Sequence, residues 1–256
     1  MHILVTNDDG VFAPGLLALA KELRKIGNVS VVAPDRNWSA SGHVKTLSRP
    51  LRAKEVTLAD GSKALACDGA PSDCVALPLL GLLDESVDLV VSGINPNANL
   101  GHDVTYSGTV TAAMEAVISD VPGIAVSLDA PEYNSQGLDY STAAKVGAII
   151  AAKVWEKKLP KNTLLNVNVP YCQMNELKGY RITRQGLRVY LDELVKRDDP
   201  HGKPYYWIGG EAPSGIPEEG TDIGALSKGY VSVTPLELDL TAYDSKQMIE
   251  DWNLGS

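Results

Sequence analysis

The first 33 residues leave this chain little freedom in how it can fold. An apolar run, His2-Ile3-Leu4-Val5, ends in the polar loop Thr6-Asn7-Asp8-Asp9-Gly10. Pro14-Gly15 then opens a segment whose apolar residues Leu16, Leu19, Ala20, Leu23 and Ile26 recur as on one face of a helix, and Gly27 closes it. Val29-Ser30-Val31-Val32-Ala33 follows as a second strand stopped by Pro34. Strand, helix and strand in so short a span make a βαβ unit, which implies a parallel sheet. The Thr6–Gly10 loop then lies at the carboxyl end of the first strand, where open α/β sheets form their ligand crevice.

Two adjacent carboxylates in such a crevice repel each other by roughly 4 kcal/mol for charges about 4 Å apart at an effective dielectric of about 20. A divalent cation relieves that repulsion, and Mg²⁺ or Mn²⁺ favours oxygen donors of the kind Asp8, Asp9 and the amide of Asn7 or a later asparagine supply. The competing reading is structural: Asp and Asn before a helix commonly cap its free N–H groups, and Gly10 permits a tight turn.

The rest of the chain narrows the choice. At 256 residues and 44% hydrophobic composition it can bury a large core, and we expect one α/β unit with an extension. A formal net charge of −9 opposes binding to a nucleic-acid duplex or an anionic membrane. Cys67, Cys74 and Cys172 are odd in number and widely spread, so neither a disulfide framework nor a zinc site is expected. The N-terminus has no signal-peptide pattern and no apolar run is long enough to span a bilayer, from which a cytoplasmic location is expected.

Further along, the loop Asp35 to His43 follows the second strand and faces the same crevice, offering Ser39 or Ser41 as a hydroxyl ligand. Leu47 to Ala66 alternates around Asp60-Gly61 as a hairpin, and Ser72 is a plausible cap for an apolar helix over Val75 to Leu83, with Asp73 a helix-start charge. Asp88-Leu89-Val90-Val91 reads as a buried strand and leads into Ser92-Gly93-Ile94-Asn95-Pro96-Asn97-Ala98-Asn99-Leu100-Gly101, whose amide oxygens could serve as neutral metal ligands. Ser107-Gly108-Thr109 at the start of an Ala-rich helix is suited to bind phosphate, although taken alone the motif reads more often as a simple Ser/Thr cap.

A strand at Gly123 to Leu128, a helix from about Tyr140 to Lys157 and a strand at Leu164 to Val169 complete a doubly wound layer. Residues 1–185 are expected to form the catalytic core. Residues 186–256 are expected to form an extension: aromatic arms around Asp198 to Pro204, a Gly- and Pro-rich connector from Gly209 to Gly224, a late strand at Tyr230 to Thr234 and a terminal helix from Thr241 to Trp252.

In order along the chain, Asn7-Asp8-Asp9-Gly10, the Ser39 loop, Gly69-Ala70-Pro71-Ser72-Asp73-Cys74-Val75, Ser92-Gly93-Ile94-Asn95, Asn99-Leu100-Gly101, Tyr106-Ser107-Gly108-Thr109-Val110 and Val231-Ser232-Val233-Thr234-Pro235-Leu236 resemble the SurE (survival protein E) family of metal-dependent nucleotide phosphatases. The resemblance implies a Rossmann-like three-layer α/β/α core with a largely parallel sheet, and a C-terminal hairpin and helix that exchange between subunits of a homodimer or homotetramer. It further implies that Asp8, Asp9, Ser39 and Asn95 hold one divalent cation and that Ser107, Gly108 and Thr109 cradle phosphate. Asn97, Ala70 and Thr111 depart from the family's usual Gly, Thr and Gly, and Thr111 is expected to crowd the neighbouring strand.

The expected reaction is hydrolysis of nucleoside 5′-monophosphates by metal-activated water, with Asp8, Asp9 and Asn95 catalytic and with Asn7, Ser107, Gly108 and Thr109 on the substrate. His102 and His43 are the candidates for a general acid. A covalent aspartyl-phosphate enzyme is disfavoured because Asn7 stands two residues before Asp9, and a receiver-like module because Ser92 stands where a phosphorylatable Asp is needed. A non-catalytic metal- and nucleotide-binding regulatory subunit is the remaining alternative.

Overall fold

The computed structural model describes residues 1–131, 137–211, 213–252 and 254. Its centre is a nine-stranded sheet built from β1 (His2–Thr6), β2 (Asn28–Pro34), β3 (Ala53–Thr57), β4 (Lys63–Cys67), β5 (Leu89–Asn95), β6 (Gly123–Asp129), β7 (Thr163–Pro170), β8 (Tyr180–Ile182) and β13 (Val231–Glu237). The spatial order is β3-β4-β2-β1-β5-β6-β7-β13-β8, and β4, β2, β1, β5, β6 and β7 run parallel. β3 runs against these strands beside β4, and β13 runs against them beside β7, with β8 parallel to β13. The central strands read as nearly continuous Val, Ile and Leu because helices cover both faces of a parallel sheet.

Helices α1 (Pro14–Leu23) and α4 (Ser141–Lys157) pack together on one face, burying Leu16, Leu19 and Leu23 against Val126, Val146 and Val154. Helices α2 (Pro71–Leu77) and α3 (Gly108–Ile118) cover the other, where Cys74, Val75, Ala112 and Ala116 meet Leu4, Val32 and Val90. The expected three-layer α/β/α core is therefore present. Cys67 and Cys74 are free and buried, as small hydrophobes in that core.

Chain order and spatial order diverge at β1. The chain leaves β1 toward β2 on one side and returns through β5 on the other, so the crevice between β1 and β5 is the topological switch point of the sheet. Thr6 pairs with Ser92, which places Asp9 and Asn95, each three residues further on, at the mouth of that crevice.

The late strand β13, from the 186–256 part of the chain, is inserted in the main sheet between β7 and β8. The hairpin of β10 (Asp192–Asp198) and β11 (Pro204–Gly210) projects separately and carries Trp207 and Ile208 65% and 83% exposed. The Gly209–Gly224 connector, apart from residue 212, which lies outside the described residues, holds β12 (Ser214–Gly215) and the start of α5 (Asp222–Ser227). β12 pairs with the short β9 (Arg188–Val189). The terminal helix α6 (Tyr243–Glu250) buries none of its residues. No helix among the described residues is long and apolar enough to cross a membrane.

Two local expectations change. Ser72 does not cap α2; its hydroxyl is buried without a hydrogen-bond partner. Asp73 takes that role, its Oδ2 accepting from the N–H of Ala70 at 2.9 Å, because a carboxylate at the third helical position can reach back to the cap residue. Thr111 does not crowd the sheet: its hydroxyl donates to the carbonyl of Gly42 at 3.1 Å, since that side of α3 faces the Asp35–His43 loop.

Candidate active site

The turn after β1 is self-stapled. Both ends of the Asn7 amide are used within it, Nδ2 donating to Gly10 O at 3.1 Å and Oδ1 accepting from Gly10 N at 3.2 Å. Asn7, expected on the substrate, thus has its side chain committed to holding the turn, which aims Asp8 and Asp9 out of the sheet end.

Asp8 is buried beneath the start of α3. Its Oδ1 accepts from the Thr109 hydroxyl at 2.5 Å. A Cβ at Gly108 would lie 2.7 Å from the Asp8 Cβ and 3.0 Å from its Oδ2, so only glycine lets the helix end approach so closely. Burial raises the pKa of Asp8 despite opposing hydrogen bonds from the Thr109 hydroxyl and from the backbone N–H groups of Asp8, Thr109 and Gly108. The helix N-terminus is therefore already directed at a carboxylate of the chain itself. Ser107 is the N-cap of α3, its Oγ accepting from Val110 N at 3.2 Å. Of the two readings of the Ser107-Gly108-Thr109 motif, the helix cap is present, while the N–H groups of Gly108 and Thr109 and the Thr109 hydroxyl are turned on Asp8.

Asp9 has a pKa raised to about 7, first by burial and then by the charge of Asp8. Tyr140 is close enough to Asp9 for that charge, after burial, to help push the phenol to about 12. Asn95 ends β5, and its Nδ2 donates to Asn97 O at 2.5 Å, which leaves the Oδ1 end of the amide as the available acceptor. The Gly93–Ile94 bond just before it is cis. Gly93, at φ +139°, could carry no side chain, since a Cβ there would lie 2.3 Å from Val126 O.

The Ser39 loop is tied to the acidic turn, with Ser39 itself exposed. The Trp38 N–H donates to the Asp8 carbonyl at 2.8 Å, so Ser39 begins one residue away. The loop is latched along one face of α3: Thr111 holds Gly42, while the buried Glu115 meets His43 Nε2 at 3.1 Å and Lys45 Nζ at 2.6 Å. A buried carboxylate needs such partners to be tolerated. His43 is thus engaged with Glu115, and His102 lies exposed on the 3₁₀ turn Gly101–Thr105; neither contacts Asp8 or Asp9. The latch was missed by sequence reasoning, although Glu115 in an otherwise small and apolar helix face was a visible signal.

Among the described residues, no three or more His, Cys, Asp or Glu side chains are grouped to hold a metal. The sheet end instead presents the Asp8 and Asp9 carboxylates, with the Asn95 amide and the Ser39 hydroxyl on the adjoining loops. Two carboxylates whose charged forms are both disfavoured by burial, beside hard neutral oxygens, fit a hard divalent cation. Thr109 should matter through Asp8: Thr109→Val is expected to lower turnover by about 10–100-fold while costing about 1 kcal/mol of stability, read by steady-state kinetics and urea unfolding of the same preparation.

A doubly wound sheet with an acidic pair at its switch point, beside a helix N-terminus, defines the class: a Rossmann-like α/β protein with a polar crevice at the carboxyl ends of its strands. Within that class the chain belongs to the survival protein SurE family, whose model matches residues 3–192. A protein of Herpetosiphon aurantiacus named 5′-nucleotidase SurE is 55% identical over 255 residues, 99% of each chain. One of Geobacter sulfurreducens with the same name is 50% identical, covering 100% of this chain and 95% of its own. The crystal structure of the SurE protein from Aquifex aeolicus superposes with a TM-score of 0.82 at 43% identity, covering 99% of this chain and 100% of that one. The family resemblance and the α/β fold expected from sequence are both borne out.

Proposed function

We infer that the protein is a 5′-nucleotidase that hydrolyses nucleoside 5′-monophosphates to nucleoside and phosphate, using one divalent cation such as Mg²⁺ or Mn²⁺ held by Asp8, Asp9, Ser39 and Asn95. The observation that carries this reading is the desolvated Asp8–Asp9 pair beneath the α3 N-terminus, in a chain about half identical over its full length to proteins named 5′-nucleotidases.

Phosphate-monoester hydrolysis is among the slowest uncatalysed reactions, with enzymatic accelerations up to about 10²¹, so several effects must act together. A bound cation supplies neutralisation of phosphate oxygens and a lowered pKa for water. Asp8 is pre-aimed by Thr109, which removes the cost of orienting it during reaction. Asp9, whose proton affinity lies near neutrality in the metal-free protein, orients the attacking water. The positive end of α3, whose Gly108 and Thr109 N–H groups are turned on Asp8, adds its dipole field to the stabilisation of charge on the phosphoryl oxygens. The exposed apolar hairpin side chains Leu194, Trp207 and Ile208 support association into a homo-oligomer through the β10–β11 arm.

The test is phosphate release from nucleoside monophosphates and an aryl phosphate after EDTA treatment, then with Mg²⁺ or Mn²⁺ restored. Release that stops with chelator and returns with metal is expected; nucleotide binding without release under any metal would replace the enzyme by a binding subunit.

A further inference from the structure

A cavity of about 510 Å³ opens beside the proposed catalytic crevice, lined by Asn97, Leu100, Asp129, Ala130, Arg188 and Pro213. Small-molecule sites typically span about 300–1,000 Å³, so it is large enough for a nucleoside. Its position follows from the sheet. Asn95 pairs with Ser127, and Asn97 and Asp129 each stand two residues beyond that pair, on adjacent parallel strands or just past them. With strands about 4.8 Å apart and about 3.3 Å of rise per residue, Asp129 begins roughly 8 Å from Asn95, about the reach from phosphate to base in a mononucleotide.

The polar groups of this cavity are unlike those of the crevice. Arg188 Nε is ion-paired with Asp103 Oδ2 at 2.7 Å, although its N–H does not point along that contact and makes no hydrogen bond, and Asp103 also accepts from the Tyr190 hydroxyl at 2.6 Å. Much of the guanidinium charge is thereby balanced, and its buried Nε–H has no partner within the chain. Asp129 stands across the cavity. Burial raises its pKa and the Arg188 charge lowers it, so the two feel each other, yet they form no ion pair. A carboxylate here repels phosphate, and the two ends of a nucleotide are thereby sorted: the anion toward α3, the neutral N–H-bearing base toward Asp129.

Resting on the nucleotidase reading above, we propose that this cavity is the nucleoside subsite and that Asp129 sets base preference by accepting the N–H donors of the base edge, with Arg188 offering N–H donors to ring acceptors. Guanine presents two parallel donors, N1–H and the 2-amino group, to a single carboxylate, whereas adenine, cytosine and uracil each present one such group. Guanosine 5′-monophosphate gains most from Asp129.

The experiment measures kcat and KM for guanosine, adenosine, cytidine and uridine 5′-monophosphates and for p-nitrophenyl phosphate, in the metal-loaded wild type and Asp129→Asn. Asp129 ends β6 and is exposed at the rim of the cavity, where the lining lowers the hydration of its carboxylate without enclosing it, so Asp129→Asn is expected to unfold at the wild-type urea midpoint. The expected result is a rise in KM for the guanine nucleotide of about tenfold or more relative to the adenine one, the loss of one good two-point base contact. Aryl phosphate turnover stays within about twofold, since that substrate lacks the contact. Unphosphorylated guanosine should compete with the nucleotide in the wild type and lose that competition in Asp129→Asn. An unchanged base ranking, or a parallel fall for aryl phosphate, overturns the subsite and leaves the nucleotidase standing. A wild type that hydrolyses aryl phosphate and no nucleotide overturns both.

Discussion

Asp8→Asn is expected to lower kcat/KM for a nucleoside monophosphate by about 10³-fold, or about 4 kcal/mol of transition-state stabilisation. Asp8 combines three positions that no neighbour can take over. It follows the strand at the switch point, lies against Gly108 where a Cβ would clash, and receives the Thr109 hydroxyl. Asparagine keeps the shape and one acceptor oxygen but removes the charge that balances a cation. Calorimetric titration with Mn²⁺ should show the binding isotherm collapse in the same variant. An Asp8→Asn protein with metal-dependent turnover within tenfold of wild type would remove Asp8 from the centre.

The second large effect is on pH dependence, and its sign is opposite to that of an ion-paired carboxylate. Asp9 has a folded-state pKa of about 7 against 3.8 for the free side chain. A carboxyl group raised on folding binds its proton more tightly in the native state, so its contribution is fully present below the unfolded value and is lost as pH rises through the folded one. In chelator, the metal-free protein should lose stability between about pH 4 and pH 7, then level off. Asp9→Asn should recover about 2 kcal/mol of it at pH 8, after discounting for the part of the carboxylate open to water. Cation affinity should climb over the same interval, because the ion displaces the proton. Urea unfolding of wild type and Asp9→Asn in EDTA at pH 4.5 and pH 8 reads the first effect; equal differences at both pH values would contradict it.

These two residues are costly to keep in a metal-free fold, as expected where a site is arranged for a ligand the chain does not itself provide. The same tension explains the surroundings. Thr109 and the first N–H groups of α3 offset part of the burial of Asp8, and the Glu115 latch holds the Ser39 loop near it.

Much of this was legible in the residues. Apolar runs of Val, Ile and Leu separated by helical spacing specify a parallel sheet covered on both faces, because only that arrangement buries both sides of every strand. The Asp8–Asp9 turn at the end of β1 and the Asn95 loop at the end of β5 could be placed for the same reason: they follow directly from where those strands stop. Local chemistry at helix starts was less legible. Ser72 and Asp73 both suit a cap, and which one serves depends on where the helix begins, here at Pro71 rather than Val75.

What the sequence determined by itself is the main strands and helices of the α/β core, their order and the acidic turn, since these depend on spacing within a few residues; the short β8 and α5 carry too few residues to show a period. Only the tertiary structure decided that β1 and β5 flank the switch point, that Thr111 and Glu115 face the Ser39 loop, that β13 enters the main sheet from the far end of the chain, and that Asp129 and Arg188 share a cavity. Each of these pairings joins residues tens of positions apart. No local periodicity encodes such a pairing; it follows from the order in which whole strands and helices bury their apolar faces against one another.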